Sequence, residues 1–137
     1  MPTKFIEPGY YGKVHTHGDF VNGGLPKSFI DPWDTWLQEA ISTSRQQLGD
    51  TWLNYYLTSP LYRFVLSPGI CGKQGWQGVL MPSVDKVGRY FPMTVSLMDN
   101  KNINPFIALQ VRNKWFVSIE KLVLSCLEDN FNIENFN

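Results

Sequence analysis

Gly75-Trp76-Gln77-Gly78-Val79-Leu80-Met81-Pro82-Ser83-Val84-Asp85-Lys86-Val87-Gly88-Arg89-Tyr90-Phe91-Pro92-Met93-Thr94-Val95-Ser96-Leu97 holds two apolar runs around a charged connection. Val79, Leu80 and Met81 form the first run, closed by Pro82. Residues 90–97 form the second, rich in aromatic and β-branched side chains that suit a pleated, half-buried surface. Two such runs with a short polar link predict a hairpin or closely spaced strand pair. The link, residues 83–89, offers a hydroxyl at Ser83, a carboxylate at Asp85, an ammonium at Lys86 and a guanidinium at Arg89. As a solvated turn it needs no function. As a rim site, Arg89 would grip a carboxylate or phosphate with its rigid fork. Paired with Asp85, it would be an internal brace. The residues alone leave the three readings open.

Working outward, residues 61–67 read as a strand and residues 68–75, with three glycines, as a loop. Upstream, Asp31 is placed to cap a helix, with Pro32 at its first position and Asp34 at capping-box spacing. Trp33, Trp36, Leu37, Ala40, Ile41 and Leu48 follow the helical period, and Gly49 ends it. Asp50 caps a second short helix that stops before Ser59 and Pro60. Residues 5–14 hold a first strand broken by Pro8 and Gly9, and the Gly-rich residues 15–26 read as a loop. After a polar linker, Asn104 caps and Pro105 starts a late helix, either continuous or broken near Arg112 and Asn113. Its strong face is Trp115, Phe116, Ile119, Leu122, Val123, Cys126 and Leu127. Residues 129–137 read as a frayed tail. Trp33, Trp36, Trp115 and Phe116 are expected in the core, and Trp76 flanks a glycine loop over which it can pack.

Strand, helix, helix, three strands and helix argue an α+β fold. The expectation is a single antiparallel or mixed sheet flanked by two long amphipathic helices, with profilin-like or longin-like layouts as topological analogies. Length predicts one domain over residues 1–137. Twelve basic residues balance twelve acidic ones, so the footprint of nucleic-acid or anionic-membrane binding is missing. Aromatics make up 15% of the chain, an excess that suits a protein-binding face. Neither a leader pattern nor a membrane-length apolar run is read, and Cys71 and Cys126 read as reduced thiols, which together predict a cytoplasmic setting.

Catalytic patterns are weak. His15-Thr16-His17-Gly18-Asp19 invites a metal, but these are the two histidines of the whole chain and a fourth ligand has no source. Residues 69–74 mimic a phosphate loop, yet Gln74 stands where a hydroxyl should hold magnesium. Cys71 with either histidine lacks an orienting carboxylate at any telling spacing.

Four stretches together resemble the TagF (ImpM) proteins of bacterial type VI secretion systems. They are Gly9-Tyr10-Tyr11-Gly12-Lys13 with Gly18-Asp19-Phe20; Leu25-Pro26 through Phe29 to Trp33-Asp34-Thr35-Trp36-Leu37-Gln38; Tyr62-Arg63-Phe64 with Pro68, Gly69 and Gly72; and residues 76–92. Trp115, Phe116 and Glu120 match the family's late helix. The chain departs from the family where His15 replaces a common Pro and Gly23 a common Arg. The resemblance implies an accessory regulator in the cytoplasm of a Gram-negative bacterium, without an active site or cofactor. It would post-translationally repress secretion-system assembly by binding a forkhead-associated scaffold protein, beside a kinase and phosphatase pathway. Ser83, Asp85, Lys86, Arg89, Trp76 and Asp19 are the candidate partner-binding residues. Two rivals remain: a small-anion or nucleotide sensor using Arg89, and a hydrolase using His15 and His17.

Overall fold

A computed structural model of the chain describes residues 8–99 and 113–125. The hairpin expected from residues 75–97 is the centre of a five-stranded antiparallel sheet. Its strands are β1 (Gly9–Gly12), β2 (Val21–Gly23), β3 (Tyr62–Leu66), β4 (Gly75–Met81) and β5 (Met93–Asp99), in the order β2-β1-β5-β4-β3. Three helices accompany it: α1 (Lys27–Leu48), α2 (Trp52–Leu57), entered through a 3-10 turn at Gly49–Thr51, and α3 (Asn113–Leu124).

The sheet is covered on both faces, which explains why its strands read as near-continuous apolar runs. Tyr10, Val79, Met81, Met93 and Val95 point to one side, where Phe116, Ile119 and Val123 of α3 complete a core. Tyr11, Trp76 and Phe91 point to the other, against Phe29, Trp33 and Leu37 of α1. Alternation along each strand thus feeds two cores. Gly78 allows the close approach this needs, because a Cβ there would lie 2.3 Å from the Val95 carbonyl oxygen and 2.7 Å from the Phe64 ring. Inside the α1 core, the Trp33 indole donates to Thr94 Oγ1 at 2.9 Å and so fixes the helix to β5. A buried indole N–H left unpaired would be destabilising, so this bond also selects the helix's rotation.

The α+β class with one antiparallel sheet and its amphipathic helices is therefore present. Several boundaries differ from expectation. Burial of Phe29 extends α1 a turn upstream of Asp31, leaving Pro32 inside the helix at the loss of one intrahelical bond. Asp31 is not a cap but an exposed neighbour of Lys27. Asp34 serves no capping box; its carboxylate accepts from Tyr11 Oη and Gln38 Nε2, each at 2.6 Å. Asp50 falls within the 3-10 turn and makes no side-chain cap bond. Trp36, expected in the core, is 52% exposed and stacks on the outer side of Trp33. Trp115 is half-buried. The loop expected over residues 15–26 contains β2, too short for its alternation to register, and held by pairing with β1. The start of the late helix, Cys126 and the tail at residues 129–137 lie outside the described residues.

Candidate partner-binding site

The connection between β4 and β5, residues 82–92, packs beside the β1–β2 loop, and one side chain organises both. Asp85 is 2% exposed. Its Oδ1 accepts backbone N–H bonds from Val87 at 3.0 Å and Arg89 at 2.9 Å. Its Oδ2 accepts from Arg89 Nε at 2.7 Å and pairs with Lys13 Nζ at 3.2 Å. Burial alone pushes this carboxyl up. The Arg89 amide, the Lys13 and Arg89 side chains and the Lys13 charge outweigh it and hold it at about 2. The local reason is a tight turn: Asp85 N donates to Arg89 O, Gly88 N donates to Asp85 O, and Gly88 takes the positive φ of 92°. An isolated bridge between Val84 and Tyr90 closes the base.

Two further ties fix the connection to its surroundings. Lys86 N donates to His17 O at 2.7 Å, and Arg89 Nη2 donates to the Gly18 carbonyl, so the two loops are tied to each other. At the entry, Tyr56 Oη donates to Ser83 O at 2.7 Å and accepts from Ser83 N at 2.8 Å. Burial pushes the Tyr56 hydroxyl up to about 12 against the opposing Ser83 bond, so it stays a protonated donor at neutral pH. Beneath the β1–β2 loop, Gly12 is required: its φ is 146° and a Cβ would lie 2.1 Å from the Pro92 carbonyl oxygen.

The candidate residues separate into two groups. Trp76, Ser83 and Asp85 are buried; Trp76 packs on Phe29 with centroids 4.5 Å apart and donates to the Cys71 carbonyl. Asp19, Lys86 and Arg89 are exposed on one rim. Three members of this neighbourhood were not among the candidate residues, although Val87 lies within the expected 83–89 rim. Lys13 is buried with its Nζ 4.8 Å from the Phe20 centroid. Phe20 is 40% exposed, stacks on Tyr11 and meets Phe91 edge-on. Val87 is 69% exposed at the turn's tip. No local signal in residues 13 or 20 announces a partner far along the chain.

The rival chemistries find little support in the geometry. Among the described residues, no group of three His, Cys, Asp or Glu side chains is placed to hold a metal ion. Cys71 is buried, and burial pushes its thiol up, opposite to the shift an attacking thiolate needs. His17 Nδ1 lies 2.9 Å from Thr16 Oγ1.

Residues 9–137 match the TagF N-terminal domain, type VI secretion system-associated. The chain belongs to the TagF family. It is thus a type VI secretion-associated protein, as its four resembling stretches implied. Among solved structures it is similar to PA0076 from Pseudomonas aeruginosa PAO1, at 45% identity and a TM-score of 0.88. The match covers 95% of this chain and 59% of that one, so this TagF chain spans well under two thirds of that protein's length. No curated protein matches the chain. Among the described residues of this TagF domain, no helix is long and apolar enough to cross a membrane.

Proposed function

We propose that this TagF domain is a non-enzymatic, cytoplasmic regulator that represses type VI secretion by binding a forkhead-associated scaffold component. The observation that carries this reading is the buried Asp85 carboxylate, which ties two loops into one rigid rim bearing Lys86, Val87, Arg89, Asp19 and Phe20. A rim already held in one shape loses little conformational entropy on docking. Its mix of both charges around an exposed valine and phenylalanine suits a protein surface. The mechanism is sequestration: binding removes free partner by mass action, so repression follows stoichiometry rather than turnover.

The anion-sensor reading is weaker, because Arg89 already serves the Asp85 carboxylate and the Gly18 carbonyl. An incoming anion would compete with a buried charge.

The test uses the purified chain and the purified forkhead-associated protein of the same organism, measured by calorimetry at low and moderate salt. Val87→Asp and Lys86→Glu alter the rim without touching the Asp85 brace, and each should weaken binding by about tenfold or more. Absence of binding at both salts, or binding indifferent to both variants, rejects the proposal. Repression that persists in cells with His15→Ala/His17→Ala is expected; its loss in a folded variant would favour the hydrolase.

A further inference from the structure

On α1, Gln38, Ser42 and Arg45 follow the i, i+4, i+7 spacing of one helical face, with Ile41 beside them. Across from them stand Tyr90 and Phe91, the residues that follow the Asp85 turn. Together these six line a hollow of about 330 Å³. That lies at the lower end of the ~300–1,000 Å³ usual for small-molecule sites. None of the lining residues is a carboxylate, so the formal charge of the lining is that of Arg45 alone.

Arg45 is held in place without being neutralised. Its guanidinium carbon lies 4.2 Å from the centre of the Trp52 ring. Trp52 is itself fixed: it is buried, donates its indole N–H to Ser44 Oγ at 2.8 Å and stacks on Tyr56 with centroids 4.9 Å apart. Stacking occupies the flat face of a guanidinium and leaves its N–H donors around the edge. Among the described residues Arg45 has neither an ion pair nor a side-chain hydrogen bond, and the Ser42 and Tyr90 hydroxyls make none either. Arg89 differs, being committed to Asp85. Asp34 reaches the hollow through Gln38, but its two oxygens already accept from Tyr11 Oη and Gln38 Nε2.

We propose that this hollow binds a small sugar phosphate, with Arg45 gripping the phosphate and the Ser42 and Tyr90 hydroxyls donating to it. Unused donors from three separate residues suit a phosphate monoester, which offers three strong acceptor oxygens where a carboxylate offers two. The hollow exceeds a phosphate group alone, so the phosphate arrives on a body, for which Ile41 and Phe91 supply apolar wall. Gln38, whose Nε2 serves Asp34, has an Oε1 that accepts no described hydrogen bond and suits a hydroxyl of that body. A sugar phosphate carries both groups. The site is separate from the Asp85 carboxylate and does not depend on the forkhead-associated protein being the partner.

The test titrates the full chain, isotopically labelled, at constant ionic strength and follows its amides by NMR. The probes are ribose 5-phosphate, ribose, inorganic phosphate and the peptide acetyl-Gly-phosphoserine-Gly-amide. Ribose 5-phosphate should shift the Ser42, Arg45 and Tyr90 amides, ribose should shift none, and inorganic phosphate should bind at least about threefold more weakly. Arg45→Gln should weaken ribose 5-phosphate binding by about tenfold or more. Ser42→Ala leaves the Arg45–Trp52 stack in place, should weaken binding about fivefold, and carries the test if Arg45→Gln does not fold. The proposal is overturned if ribose 5-phosphate shifts none of these amides up to about 10 mM. Shifts gathered at Lys86 and Arg89 instead, or wild-type affinity in either folded variant, also overturn it. So does a response to ribose itself, or inorganic phosphate binding as tightly as the ester. Tighter binding of the phosphopeptide than of ribose 5-phosphate overturns it in favour of a phosphorylated partner protein.

Discussion

Nζ of Lys13 lies 3.2 Å from Oδ2 of Asp85, and both side chains are almost wholly buried. This contact joins the β1–β2 loop to the β4–β5 connection and supplies a charge without which the Asp85 carboxylate would lie desolvated and partly unanswered. Its position under Phe20 and beside Arg89 makes it the structural root of the exposed rim.

Asp85→Asn removes the charge but leaves Lys13 buried, so the single change should lower the melting temperature by roughly 5–15 °C. Adding Lys13→Met should recover part of that loss, since the stranded ammonium is then gone. Thermal melts of the two single variants and the double variant measure this. A double variant as unstable as the sum of the singles would contradict the coupling.

The same carboxylate predicts an acid limb. Its folded pKa of about 2 is below its ordinary value of 3.8, so its stabilising effect is complete above 3.8 and disappears as pH falls through 2. The stability gap between wild type and Asp85→Asn should therefore be flat from pH 7 to 5 and narrow between about pH 4 and 2. Denaturant melts across that range give the gap directly. The Arg63 hydrogen bonds also hold Glu120 below its usual range, so the wild-type curve contains a second, smaller acid contribution that the subtraction removes.

Arg63 grips Glu120 through Nε at 3.0 Å and Nη2 at 2.7 Å, a bidentate fork between β3 and α3. The pair retains some solvent, so its coupling should be about 0.5–1 kcal/mol rather than that of a buried pair. A double-mutant cycle with Arg63→Met and Glu120→Gln, repeated in high salt, should show that coupling shrink.

Trp33 and Trp36 stack 5.1 Å apart but should respond very differently to truncation. Trp33→Ala leaves a cavity and strands Thr94, and should cost about 3–5 kcal/mol. Trp36→Ala removes an exposed ring and should cost no more than about 1 kcal/mol. Equal losses would mean that Trp36 is held more tightly than its exposure indicates. Denaturant titration of each variant provides the comparison.

Much of the fold was legible because it rests on local pattern. The apolar runs of residues 79–81 and 90–97 specified paired strands. The spacing of Trp33 and Leu37, and of Phe116, Ile119 and Val123, specified two core-facing helices. β2 was not legible, since three residues with one apolar side chain carry no period and owe their form to β1. Pro32 misled the helix start because Phe29, upstream of it, gains more from burial than the helix loses at the proline.

The site divides along the same line. The sequence by itself determined the family, the antiparallel class, and that residues 83–89 would be a charged turn in which Asp85 and Arg89 are close enough to pair. Only the tertiary structure decided that the turn is a brace, because the deciding cation is Lys13, on another loop and without any local mark. Only it placed Trp36 outside, Trp76 inside and β3 at an open edge. Those outcomes depend on which strands are neighbours, and neighbourhood between distant segments is set by packing both faces of one sheet at once. No window of sequence contains that constraint.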